Sequence, residues 1–391
     1  MKKRPIKIIL AIVLISLLNN PSLAASSAPT RDISYPIRVA VLKGADRIKL
    51  KIQGRYTIYA LPLLTELSEG DGLNNVEIRP TYSGLMIGGD EFKIYGVKIK
   101  GESQADIVID DRMFRGEMDV IRTTDLKLLV VNHLDIEDYI NGVLYHEVSH
   151  WWPMEAIKAQ AIAARTFAVY RSLEAGGNDY DLTSDVYSQV YGGKTSERFR
   201  TSRAVNETSG LVLVYKNEIL PAYYHATCGG HTEDASVLWK TSIRPLKGRP
   251  CSYCEQSPHY KWETTLPLDS IEEKMKSGGY KIKGMKCISI LARDRSGRVE
   301  KIAIEDSLGT EKIPAHKFRL VLGPNIIRST NFTVEVRDGS AVFTGKGWGH
   351  GVGLCQWGAY FMARRGLKDV DILMFYYPGS KVVKLKDIVK E

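Results

Sequence analysis

Beyond residue 24 the chain contains no run approaching about 18 consecutive apolar residues, so no later segment is long enough to cross a bilayer as a helix. It has no internal repeat and no low-complexity tract, which removes repeat arrays and biased linkers from consideration. Acidic residues are in deficit, 45 against 54 Lys and Arg, and the formal charge of +9 favours a polyanionic neighbour such as a wall polymer or a membrane surface. Disorder is excluded as well, because 44% hydrophobic and 25% charged residues is the composition of an ordinary globular protein.

What is present begins with an export signal. Lys2, Lys3 and Arg4 precede an almost unbroken apolar stretch over 8–18, and Ser22 and Ala24 place small residues at the spacing a signal peptidase needs. Residues 1–24 are therefore expected to be a signal peptide, with the rest secreted or extracytoplasmic, in the cell wall or periplasm. Nucleic acid is scarce there and is not expected as a partner. A membrane is expected to be met only through an uncleaved signal.

Short β-type runs at 37–42, 48–52, 92–97, 106–109 and 126–131, separated by Gly, Asp and Asn, make 35–112 a β-rich N-terminal region. Residues 113–121 and 126–131 read as a hairpin. The pattern then turns helical: Asp135 can cap a segment over 136–148, with Ile136, Tyr139, Ile140, Val143 and Leu144 on one side and Gly142 weakening it. Pro153 opens a second helix, in which Met154, Ile157, Ala161, Ala164 and Ala168 repeat at helical spacing until Gly176 and Gly177 stop it. So small a stripe lets backbones approach closely, and this helix is expected to be buried against a sheet. Strand-like runs return at 211–215, 287–292, 299–304, 332–337 and 341–344. The expected class is α+β, mixed and β-rich, with antiparallel strands and a buried Ala-rich helix.

Two segments carry chemistry. His146-Glu147-Val148-Ser149-His150 has the H-E-x-x-H form, which on a helix would set two imidazoles on one face for zinc, with the glutamate as base of a protease. Pro153 opposes a helix carried past His150, because its ring would clash with the Ser149 carbonyl, and no companion third-ligand motif follows. The other reading keeps Glu147 alone. A carboxyl at the end of a buried helix, beside Trp151 and Trp152, loses solvation, and its pKa rises toward that of a general acid; the bland alternative is a surface glutamate at a helix end. Residues 347–359 pack five glycines, two tryptophans, His350 and Gln356 into thirteen positions. Alternating glycines around His350 suggest a shaped loop presenting an imidazole, with Trp348, Trp357 and Gln356 suited to a sugar-binding surface.

Five segments in order, Tyr139-Ile-Asn-Gly-Val-Leu-Tyr-His-Glu147, the stretch from Trp152 through Phe167, Ser188-Gln-Val-Tyr-Gly-Gly193, His225-Ala-Thr-Cys-Gly-Gly-His-Thr-Glu233 and the stretch from Gly345 through Ala359, resemble the signature segments of the stage II sporulation protein D family (SpoIID/LytB). The resemblance spans about residues 35–380 and is strongest from 113 onward, marking 113–380 as the catalytic region. It implies an exported lytic transglycosylase that cleaves peptidoglycan glycan strands, in wall remodelling or sporulation, with Glu147 as the catalytic acid and no cofactor required. It also implies that Ser188, Gln189, Tyr191, His225, His350 and Gln356 line the glycan cleft. Some relatives are described as amidase enhancers, so the alternative is a non-catalytic peptidoglycan-binding protein partnered with a cell-wall amidase.

The cysteines admit two readings. Cys228, Cys251 and Cys254, with His231 or His225 nearby, supply three thiols and an imidazole, and the C-x-x-C spacing suits a structural zinc. Export favours disulfides instead, with Cys287 or Cys355 as partners. Some relatives hold zinc through His and Cys just before the Gln-Val-Tyr motif, whereas residues 181–188 contain neither.

Overall fold

A computed structural model describes residues 35–102, 105–185 and 188–388, so residues 1–24, expected to be a signal peptide, lie outside the described residues. The strand Pro36–Ala45 buries Ile37, Val39 and Val41, and Leu128–Asp135 buries nearly every side chain, so both lie inside a sheet rather than at its edge. That sheet has eleven strands, beginning with Leu182–Thr183, Pro36–Ala45, Leu128–Asp135 and Glu117–Arg122. It continues through Gly96–Gly101, Ile48–Leu61, Thr65–Pro80, Leu85–Ile87 and Asp90–Phe92, with Asp106–Ile109 and Arg112–Phe114 branching from Ile48–Leu61. Every pairing is antiparallel except that of Leu182–Thr183 with Pro36–Ala45. The class is α+β, as read from the sequence. Arg112–Phe114 bridges the division drawn at residue 112, and side chains from both sides of it share one hydrophobic cluster.

Two helices cover the sheet. In α1 (Ile136–Glu147) the Asp135 side chain accepts from the Glu137 N–H, and acidic residues in the first turn meet the positive helix end. Gly142 is required by a close approach rather than by a turn: a Cβ there would lie 2.4 Å from the Tyr191 ring. In α2 (Met154–Ala175) burial exceeds the single stripe expected from the sequence. Ile157, Ala161, Ala164 and Ala168 enter the core shared with α1, while Ala156, Ala159, Ile162 and Ala163 enter a second core with Leu213, Leu354 and Met362. The helix is thus enclosed on both sides, which small side chains permit. Arg165 on α2 is fully buried and forks onto Glu137 of α1 at 2.6 and 2.8 Å, tying the two helices together.

A third core defines a lobe that the sequence pattern did not separate. Lys261–Pro267, Ser340–Lys346 and Phe332–Arg337 form one three-stranded sheet, and Cys287–Arg293, Val299–Glu305 and Thr310–Pro314 form another. Helices Leu268–Ser277 and Ala315–Leu322 complete it around Ile271, Ile302, Phe318 and Phe343. The chain enters this lobe after the cysteine pair Cys251 and Cys254 and leaves it at the glycine-rich loop.

Candidate active site

Glu147 is the last residue of α1, and the chain turns away at once through the extended Val148, whose N–H closes on the Leu144 carbonyl. Two cavities meet at this side chain. One, of about 520 Å³, is walled by Tyr223, Tyr224, His225, Trp239, Arg319 and His350; the other, of about 400 Å³, by Tyr145, Trp152, His259, Gln356 and Trp357. Glu147, Ala226 and Trp348 line both. Aromatic faces dominate these walls: Tyr223 stacks on Trp239 with centroids 4.2 Å apart, and Trp152 meets Trp357 edge-on at 5.0 Å.

Burial pushes the Glu147 carboxyl up to about 7 from the ordinary 4.5. Hydrogen bonds from the Tyr224 hydroxyl, the Gln356 amide and the Val190 N–H act the other way, favouring the ionised form, without cancelling the loss of solvation. Of the three, the Tyr224 hydroxyl has the largest effect, ahead of Gln356, whose amide lies 3.4 Å from Oε2. A relay fixes that hydroxyl. Tyr139, on α1, donates to Gln189 Oε1 (3.1 Å), and Gln189 Nε2 donates to the Tyr224 oxygen (2.8 Å) and to the Ala164 carbonyl on α2 (3.2 Å). The Tyr224 proton is left for Glu147. A half-buried carboxyl that titrates near neutrality and is held from three elements can give up and take back a proton.

The glycine-rich loop packs against the parallel pair Tyr224–His225 and Leu354–Cys355. Gly349 (φ +111°) and Gly353 (φ +72°) admit this packing, since added Cβ atoms would lie 2.8 Å from His225 Cβ and 2.0 Å from the Tyr223 carbonyl. The loop is shaped as expected, and His350 lines the larger cavity. Its Nδ1 accepts from the Val352 N–H at 3.1 Å. Burial, with Arg319 nearby, pushes His350 down to about 3. His225 donates through Nδ1 to the Val352 carbonyl at 3.0 Å and leaves a buried Nε2 with no protein partner. Both imidazoles line the larger cavity, and the loop backbone engages one nitrogen of each.

The remaining expected residues divide. Ser188 lines the larger cavity, its Oγ accepting from the Thr183 N–H at 3.2 Å. Gln189 and Gln356 hold their places beside Glu147 with their amides engaged by protein groups. Tyr191 lies beneath the site and not in it, buried with its hydroxyl donating to Asn132 Oδ1 at 2.9 Å. Tyr224, Trp239 and Arg319 are wall residues that sequence reasoning missed. Arg319 arrives from the separate lobe, and only Tyr224 carried a signal, its adjacency to His225.

The H-E-x-x-H string does not form a metal site. The α1 helix ends between its two histidines; His146 Nε2 is engaged with Ser196 Oγ at 2.7 Å, and His150 packs against Trp151 at 4.7 Å. Among the described residues, the grouping able to hold a metal is Cys228, Cys251, Cys254 and Cys355. Cys355 stands where His231 was expected, because the His231 Nδ1 is turned onto the Thr232 carbonyl at 2.6 Å.

The sequence model of the stage II sporulation protein family matches residues 124–215, which include α1, α2, Glu147 and Gln189. A domain of unknown function matches residues 247–353, which include the separate lobe. The chain is 30% identical to stage II sporulation protein D of Bacillus subtilis, over 64% of this chain and 75% of that protein. It belongs to the stage II sporulation protein D family. Other relatives are an uncharacterized protein of Brachyspira hyodysenteriae, 33% identical over 91% of this chain and 95% of that one, and the amidase enhancer of Bacillus subtilis, 27% identical over 62% of this chain and 40% of the enhancer. Among the described residues no helix is long and apolar enough to cross a membrane.

Proposed function

We propose that this member of the family is an exported peptidoglycan lytic transglycosylase acting through Glu147. The observation that carries the reading is a carboxyl held near neutrality at the junction of two aromatic-walled cavities, where a sugar polymer can pass with a glycosidic bond over the acid. Below about pH 7 Glu147 is protonated and donates to the oxygen joining N-acetylmuramic acid to N-acetylglucosamine. The C1–O bond breaks as positive charge develops on the ring. The carboxylate left behind is stabilised by the Tyr224 hydroxyl, the Gln356 amide and the Val190 N–H, and it takes the proton of the C6 hydroxyl as that oxygen bonds to C1. The product is a 1,6-anhydro end, no water is consumed, and Glu147 is returned to its acid form. No second carboxylate nucleophile is needed. Aromatic faces such as Trp239 and Trp348 offer stacking for the apolar faces of the sugars. The surplus of basic residues suits an anionic wall polymer.

The similarity to an amidase enhancer favours a second reading, in which the same cleft binds glycan and the protein stimulates a separate wall amidase. Incubation of the purified protein with peptide-free glycan, with and without an amidase, separates the two. The enzyme reading expects anhydro-ended fragments from the wild-type protein alone and none from Glu147→Gln. Amidase stimulation without such fragments, equal in both proteins, selects the enhancer.

A further inference from the structure

We infer that Cys228, Cys251, Cys254 and Cys355 bind one structural zinc ion as a tetrathiolate. The four sulfur atoms all lie within 4.8 Å of one another, and Cys228 and Cys254 approach to 3.3 Å. A tetrahedral ion with zinc–sulfur bonds of about 2.3 Å sets its sulfurs ~3.8 Å apart, so small adjustments close the cage. The four sulfurs form one group, and none of these cysteines is joined in a disulfide.

The surroundings fit thiolates. The Cys228 N–H and the Gly358 N–H donate to the Cys355 sulfur at 3.2 and 3.3 Å, and the Tyr376 hydroxyl lies 3.2 Å from the Cys251 sulfur, positioned to donate. Donors aimed at sulfur spread the negative charge that four thiolates around one divalent ion retain. All four cysteines are buried within the second core, beside Leu354, Ala359 and Tyr377. Four buried protein ligands make a closed site, which is the arrangement of a structural zinc and not of a catalytic one. Cys287 stands apart, half-buried in the separate lobe.

The place of the cage in the fold gives it a purpose. Cys228 follows His225 by three residues, Cys355 immediately precedes Gln356, and Cys251 and Cys254 lie on the connection into the separate lobe. One ion would clamp this entry to the two short parallel strands that carry Tyr224 and His225 and lead into Gln356, beside Glu147.

The inference is tested on the full chain by its metal content, its free-thiol count and its cobalt spectrum, none of which depends on glycan cleavage. The expected result is one zinc per chain surviving dialysis, and, after exchange with cobalt, thiolate-to-metal charge transfer with the bands of a tetrahedral four-sulfur site. Cys254→Ser should lower the zinc from one per chain to background, and Cys287→Ser should leave it unchanged. If Cys254→Ser fails to fold, the wild-type cobalt spectrum decides. Protein without zinc that takes up no cobalt after reduction, a cobalt site with fewer than four sulfurs, or an intact mass with these cysteines in disulfides would each overturn the tetrathiolate.

Discussion

Replacing Tyr224 by Phe removes the hydroxyl that donates to Glu147 and keeps the aromatic wall. That hydrogen bond favours the carboxylate, so its loss makes the Glu147 proton harder to remove. A hydrogen bond to a charged group contributes about 1.5–3 kcal/mol. The Val190 N–H and the Gln356 amide remain and take up part of the loss, which places the effect at the low end, about 1.5 kcal/mol, or about one pKa unit. The proposed mechanism requires the protonated acid, so the wild-type rate should fall as pH rises through about 7. In Tyr224→Phe the same limb should lie about one unit higher. Initial rates of release of anhydro-ended fragments, followed by mass spectrometry across the neutral and alkaline range, measure that limb directly. A lower maximal rate with the limb unmoved would show that Tyr224 only supports the wall. A limb displaced downward would refute the electrostatic reasoning outright.

Other perturbations follow from the same geometry. Because the folded-state pKa of Glu147 is raised, the folded protein holds the proton more tightly than the unfolded chain, and this carboxyl costs stability progressively as pH rises from 4.5 to about 7. Glu147→Gln should therefore raise the melting temperature at alkaline pH by the equivalent of roughly 2 kcal/mol, after allowance for its contact with solvent, and the difference from wild type should vanish in acid. Arg165→Met leaves the buried Glu137 carboxylate without its cation and should cost about 3–5 kcal/mol in urea unfolding, while Arg165→Met combined with Glu137→Met should cost clearly less than the two single changes added together. Gly142→Ala should destabilise by about 1–3 kcal/mol despite the better helix propensity of alanine, because the new methyl collides with Tyr191; a stabilised variant in thermal unfolding would contradict that packing.

Much of the frame could be read from residues alone. Asp135 as a cap and Gly176 as a stop delimit α1 and α2 because these signals are local. Thr65–Pro80 escaped notice: it is a sixteen-residue strand, but most of its side chains are exposed, so no alternation of apolar residues marks it and backbone pairing with Ile48–Leu61 holds it. The run at 92–97 looked like one strand and is split between Asp90–Phe92 and Gly96–Gly101, with Ile94 turned in the break. Glu147 and the glycine loop were visible as odd local chemistry. Arg319 was not, since only tertiary folding brings residue 319 to residue 147. Cys355 joins the cysteine group in the place expected of His231 for the same reason: sequence proximity favours the histidine, whereas the parallel pairing of Tyr224–His225 with Leu354–Cys355 delivers the distant thiol.

The central claim is that Glu147 transfers a proton within a cut glycan without help from water. Digestion of peptide-free glycan strands in water enriched with oxygen-18 measures this in one experiment. The account predicts fragments one water lighter than hydrolysis products, carrying no label, and absent with Glu147→Gln. Reducing ends bearing the label, or anhydro ends still formed by Glu147→Gln, would contradict it.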